Sequence, residues 1–186
     1  MIKLLNVDTS GRVSCPNVKN TDPSSLRAFK TLGGVRLGDS FPDLTLELTD
    51  DDECPSGPVD YFQAGLLNIT SWKLRKVLED VGAEVEYLPV RVLYNGKRTQ
   101  IEYFVANPLE RFNAIDIVNS DVELDEELGD ALSVNRLVID RLKFNGVKLA
   151  VIAEIQKIGV QAEVAVAVES SGCVGCVFIE PISFRY

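Results

Sequence analysis

The chain has 186 residues, 46% hydrophobic and 25% charged, a globular composition that excludes intrinsic disorder. Its 28 Asp+Glu against 19 Lys+Arg give a formal charge of −9. That argues against direct nucleic-acid binding, which needs a positive footprint on the phosphates, and leaves room for a basic protein partner.

The start, Met1-Ile2-Lys3-Leu4-Leu5-Asn6-Val7-Asp8, has no long apolar run or small-residue cleavage site and does not read as a signal peptide. No stretch reaches the roughly 18 apolar residues of a membrane span. A cytoplasmic protein with no membrane partner is expected. Residues 2–8 read as a strand closed by the turn Asp8-Thr9-Ser10-Gly11. Asp22-Pro23-Ser24-Ser25 can open a short helix through Phe29, and Gly33-Gly34 breaks it. Leu44 to Leu48 alternates as a half-buried strand, and the acidic run Asp50-Asp51-Asp52-Glu53 opens a solvated loop through Pro58.

The clearest helix spans 70–81. Thr70 or Ser71 can cap it, Leu74, Val77, Leu78 and Val81 share one face, and Gly82 sits at the left-handed C-terminal position. Val85 to Leu93 alternates into Asn95-Gly96, the preferred type I′ pair, and Gln100 to Val105 returns, with Pro89 implying an edge or a bulge. Ala114 to Val118 reads as a short buried run. Asp121 to Glu127 is acidic and partly irregular. Leu137–Asp140, Arg141–Phe144 and Val147–Ile152 read as successive strands, with Asn145-Gly146 as a second hairpin turn. Residues 161–170 fit a helix or a strand, since valines alternate while Ala162, Val164, Ala165 and Val168 make a helical face. Cys176 to Phe184 reads as a strand interrupted at Pro181. The expected class is α+β, a mixed or antiparallel sheet with hairpins and few helices. No internal repeat is visible, so a single domain over 1–186, with room for two lobes, is expected.

Catalytic patterns are sparse. Without histidine there is no Ser-His-Asp or Cys-His arrangement and no histidine metal ligand. Gly33-Gly34-Val35-Arg36-Leu37-Gly38 lacks the spacing of a phosphate loop and reads as a plain flexible loop. Of the four cysteines, Cys15, Cys54, Cys173 and Cys176, only the last two have C-x-x-C spacing. They lead into a strand rather than a helix N-terminus, so they read as small buried residues, not a redox or zinc pair. The acids form runs rather than enclosed pairs or a calcium loop, and the single tryptophan, Trp72, reads as a packing anchor. No catalytic residue, metal or cofactor is expected.

Several segments together resemble a known family. Ile69-Thr70-Ser71 leads to a helix reaching Leu78; Leu88-Pro89-Val90, Tyr103-Phe104-Val105-Ala106-Asn107 and Ala114-Ile115-Asp116-Ile117-Val118-Asn119-Ser120 follow in order. Phe41-Pro42-Asp43-Leu44 lies before them and Gly175-Cys176-Val177-Phe178-Ile179-Glu180-Pro181 after. Over residues 41–181 this resembles the bacterial immunity-protein family of polymorphic toxin systems typified by a Myxococcus protein. The resemblance implies a non-enzymatic protein that binds a cognate toxin and occludes its active site, and a helix at 161–170. If the toxin acts on nucleic acid its site is basic, and the acidic loops, with Asp50, Asp51, Asp52, Glu123, Asp125 and Glu126, become candidate contacts. Two alternatives stay open: a metal-dependent carboxylate hydrolase, and an assembly subunit forming a homodimer through edge strands.

Overall fold

Alternating segments and turn residues build two main sheets, which a computed structural model describes over residues 1–8, 17–20, 33–49 and 57–186. Asp50 to Glu53, Cys15, Cys54, most of the turn after Asp8 and the helix expected after Asp22 lie outside those residues. The first half holds β1 (Ile2–Val7), β2 (Asn17–Asn20), β3 (Thr45–Thr49), β4 (Tyr61–Ala64), β5 (Leu67–Ser71), α1 (Trp72–Asp80), β6 (Val85–Tyr94) and β7 (Lys97–Arg98). Then follow β8 (Tyr103–Pro108), β9 (Arg111–Phe112), β10 (Asp121–Leu124), β11 (Ala131–Arg136), β12 (Leu149–Ile152), β13 (Lys157–Gln161), α2 (Ala162–Ser170) and β14 (Cys176–Ile179). One sheet runs β2-β3-β6-β8-β5-β4 with β7 on β6, another runs β14-β1-β13-β12-β9, and β10 pairs with β11 alone. Pairing is antiparallel except for β3 with β6 and β9 with β12, so the fold is α+β and mostly sheet.

α1 forms for the reasons its sequence carries. The buried Ser71 hydroxyl accepts the Leu74 N–H at 3.2 Å, a side-chain N-cap. Leu74 and Leu78 are buried, Val77 and Val81 pack beside them, and Gly82 turns the chain at φ +75°. Asn95 and Gly96 adopt φ +48° and +73°, as a type I′ hairpin requires. Pro89 is tolerated because odd-numbered residues of β6 point their amides away from β8; Arg91 N–H reaches Leu44 O at 2.9 Å, one residue before β3 begins, so the position of Pro89 falls beyond the paired strand. Residues 162–170 are helical despite the alternating valines, with Val164, Ala165 and Val168 buried against α1 and β13.

Several expectations need correction, and Leu137–Asp140 is not a strand: only Ile139 bridges, to Ile115. Arg141–Phe144 is a 3-10 turn, not a strand, because the Asp140 carboxylate caps it by accepting the Leu142 N–H at 3.0 Å. Asn145-Gly146 is therefore not a hairpin turn: with Asn145 at φ −66°, ψ 116° and Gly146 at φ +79°, it is a type II turn leading into β12. In the run 114–118 Ala114 and Ile115 are buried, but Ile117 and Val118 stand out in a surface turn, Val118 91% exposed.

A repeat invisible in the sequence is present in the topology. In both sheets a hairpin is followed at once by a nine-residue helix, and the next strand lands parallel to the hairpin's second strand with one antiparallel strand between them: β4-β5-β8-β6 and β12-β13-β1-β14. Hydrogen bonds coincide position by position. Trp72 N–H donates to Glu102 O as Ala162 N–H does to Met1 O, and Ser71 N–H to Asp60 O as Gln161 N–H does to Lys148 O. Ser71 lies opposite Tyr103 as Gln161 lies opposite Ile2. Gly82 and Gly172 both end their helices at positive φ. The ion pairs Asp60–Lys73 and Lys148–Glu163 occupy equivalent places with their signs exchanged. The helices meet, and one apolar cluster draws Leu74, Leu78, Val164 and Val168 together with Tyr61 and Leu149 from the two hairpins.

Residues 33–38, expected as a plain flexible loop, are pinned, and a 3-10 turn follows at Gly38–Ser40. Asn107, fully buried, accepts Gly33 N–H at 2.8 Å and donates to Val35 O at 2.9 Å and to the Glu86 carboxylate at 2.8 Å. Glu86 accepts the amides of Leu37 and Gly38, each at 2.9 Å. Burial alone would raise the Glu86 pKa; those donors outweigh it and hold the group below its ordinary 4.5. The stability this carboxylate contributes is present above its unfolded-state value and is lost as pH falls through the lower folded value. Glu86→Gln should lower the urea midpoint near neutral pH and much less at about pH 3; an equal loss at both would refute this role.

Candidate partner-binding surface

The predicted acidic candidates that can be placed meet on the β10–β11 hairpin. Glu123 projects from the exposed side of β10, and its carboxylate accepts the Ser133 hydroxyl at 3.3 Å from β11. Glu126 and Glu127 are exposed at the tip. Asp125 is different: its Oδ1 accepts the amides of Glu127 at 2.9 Å and Leu128 at 2.7 Å, and its backbone closes onto Gly129 and Asp130. Its carboxylate shapes the tip rather than facing outward. The hairpin's other face supplies Val122, Leu124, Ala131 and Val134 to the core cluster of the five-stranded sheet, which fixes which way the acids point. Two leucines missed in the sequence stand among these carboxylates: Leu128 is 77% exposed and Leu132 56%.

A second feature of opposite sign lies on the larger sheet, where β6, the β7–β8 connection and β8 enclose a cleft of about 620 Å³. The pleat puts Pro89, Arg91 and Leu93 on one face, and Arg98, paired with Leu93, joins them. The Arg91 and Arg98 side chains are exposed, and neither guanidinium has a hydrogen-bond or ion-pair partner among the described residues. Phe104 lines the cleft and carries the Arg75 guanidinium 4.7 Å from its ring centroid. Trp72, its backbone bonded to the Glu102 carbonyl on the wall, is 53% exposed. It is not the buried anchor expected, because the capping geometry at Ser71 sends the first helical side chain outward.

Cys173 and Cys176 are free, half-buried thiols beyond the C-terminal end of α2. Burial pushes both pKa values up, that of Cys176 to about 12 with the neighbouring Cys173 adding to it. Both are therefore poor thiolates at neutral pH. Among the described residues no group of three or more Cys, Asp and Glu side chains is placed to hold a metal ion. Among them, too, no helix is long and apolar enough to cross a membrane.

A model of the immunity protein family designated Imm11 matches residues 6–180. The chain belongs to the Imm11 immunity protein family. No curated protein matches it. In this Imm11 chain several residues that carry the family resemblance are tied into the scaffold. Asp116 accepts the backbone and side-chain N–H groups of Asn119 at 3.2 and 2.7 Å, bonds that hold its pKa low. The Ser120 hydroxyl both accepts from and donates to the Val138 backbone. The buried Glu154 carboxylate accepts the amides of Ala114 and Ile115 at 3.2 and 3.0 Å. Together these bonds tie 114–120 to the strand-like segment at 138–140 and to the 3-10 turn after β12.

Proposed function

We propose that this Imm11 protein neutralises a cognate toxin by binding it, without a reaction, and that the β10–β11 tip covers the toxin's active site. The observation that carries the reading is the tip itself: exposed Leu128 and Leu132 set among Glu123, Glu126 and Glu127 on a hairpin braced by Asp125. Large apolar side chains ringed by charge are how binding surfaces combine contact energy with steering. A basic active site, such as that of a nucleic-acid-cleaving toxin, is the complement. Asp50, Asp51 and Asp52, which lie outside the described residues, are proposed as further acidic contacts to the toxin.

The test is co-expression with the product of any large neighbouring reading frame that carries a delivery domain. Rescue of growth and co-purification are expected. Glu123→Lys with Glu126→Lys should slow association about tenfold at low salt, with the difference shrinking as salt rises. Leu128→Ala should weaken the complex by about 1–2 kcal/mol, mainly through faster dissociation. Failure to bind or rescue would sink the reading; unchanged kinetics in the charge reversal would move the contact elsewhere.

A further inference from the structure

We propose that the cleft between β6 and the β7–β8 connection is a second contact site, which receives an acidic segment of the toxin carrying a bulky apolar side chain; this rests on the toxin-binding reading above. Arg91 and Arg98 share one face of the sheet and are not ion-paired among the described residues, in a chain whose net charge is −9. An acidic protein offers many local carboxylates, so two arginines left facing solvent in one recess are available to a partner's. Among the described residues Glu102 is the one acid lining the cleft. The rest of the wall suits a large apolar side chain: Pro89, half-exposed Ile101 and Phe104, with the exposed Trp72 joined to the wall through its backbone bond to Glu102. Tryptophan and arginine are the residues most enriched where binding energy concentrates. A cleft of about 620 Å³ holds a few side chains, not a folded domain, so the occupant is a short segment. The two contact surfaces then differ in sign, which rejects partners that satisfy only one of them.

The only tryptophan of the chain is Trp72, exposed and bonded through its backbone to Glu102 of the wall, so its fluorescence is the built-in probe of that region. The probes are an end-labelled glutamate-rich peptide carrying one phenylalanine and a lysine-rich peptide of the same length, titrated against the full chain. The glutamate-rich peptide should bind, shift the Trp72 emission to shorter wavelength, and outbind the lysine-rich one. Arg91→Glu with Arg98→Glu should lower its affinity at least about tenfold. Arg91→Gln with Arg98→Gln should lower it less, and Glu123→Lys with Glu126→Lys should leave the Trp72 response in place. All these positions are exposed, and unchanged urea midpoints would show that each variant folds. No binding, or binding indifferent to the arginines, overturns the proposal. In the toxin arm, capture by the wild type and equal capture by the double glutamate variant overturn the cleft alone. If the wild type captures no toxin, the partner assignment and the reading beneath it fall together.

Discussion

Gly175→Ala is expected to destabilise the protein by about 3–5 kcal/mol, a loss large enough to unfold many domains of this size. Gly175 is buried at φ +90°, and a Cβ there would lie 2.4 Å from the Tyr61 carbonyl oxygen and 2.9 Å from Val59 Cβ. The Tyr61 oxygen is backbone, so no side-chain rotation relieves the clash. Nor can the loop retreat freely. Val174 O accepts the amides of Asp60 at 2.8 Å and Tyr61 at 3.2 Å, Val174 N–H donates to the Asp60 carboxylate at 3.0 Å, and Gly175 O accepts Asp8 N–H at 3.1 Å. Movement that freed the methyl would strain this set, and each buried group left unmade costs about 1–3 kcal/mol. Gly146→Ala is the control: it has φ +79° but nothing within 4 Å of its Cβ position, so only the left-handed penalty of about 1–2 kcal/mol applies. Urea denaturation of both variants separates close approach from backbone conformation, and equal midpoints would refute the account.

Local chemistry was readable in the sequence wherever it was strong and self-contained. Ser71 as cap, Leu74 and Leu78 as buried face and Asn95-Gly96 as turn each depend on neighbours a few residues away. The misread segments are those decided by distant partners. Arg141–Phe144 alternates like a strand, but the cap from Asp140 and the burial of Phe144 against Phe112, ring centroids 5.1 Å apart, favour a tight turn. Residues 161–170 could be placed only by resemblance, since valine alternation and an alanine-rich helical face predict opposite states. The repeat was illegible for a plainer reason. Along 67–82 and 157–172 only Glu79 with Glu169 and Gly82 with Gly172 keep the same residue at matched positions. What is retained is burial, turn conformation and hydrogen-bond register, not residue type.

The candidate surfaces divide in the same way. Acidic runs are conspicuous in sequence, yet composition could not tell Asp125, bonded to its own turn, from exposed Glu126 one residue on. The arginine cleft had a signal that went unused. Alternation already placed Arg91 opposite in sense to buried Val90 and Val92, and the Asn95-Gly96 turn fixed Arg98 beside Leu93. On a chain of net charge −9, that alternation places two arginines without ion-pair partners among the described residues on one face of the sheet.

The exchanged ion pairs offer a second large effect, because equivalent position does not mean equivalent role. Asp60→Lys with Lys73→Glu should cost about 3–4 kcal/mol although it conserves the pair's opposite charges. The Asp60 carboxylate is largely buried and does more than face Lys73 at 3.6 Å: it accepts the Ser71 hydroxyl at 2.6 Å and the Val174 amide at 3.0 Å. The Ser71 hydroxyl in turn caps α1, so this one carboxylate joins the start of β4, the helix cap and the loop before β14. A lysine there offers donors where two donors already point, and it must stay charged in a site with little water. Lys148→Glu with Glu163→Lys makes the same exchange in the other unit, where both side chains are well exposed and the Lys148 ammonium has only Glu163 as a polar partner among the described residues. There the change should stay within about 0.5 kcal/mol. The contrast follows from the loop geometry around Val174, which reaches across to Asp60, whereas the equivalent turn after α1 leaves an open pocket of about 80 Å³ between Gly82, Glu84 and Lys148. Urea midpoints of the two double variants decide it: similar losses would mean that the two units are held by their ion pairs alike, and a large loss confined to Asp60 would mark the first unit's acid as the cross-link between them.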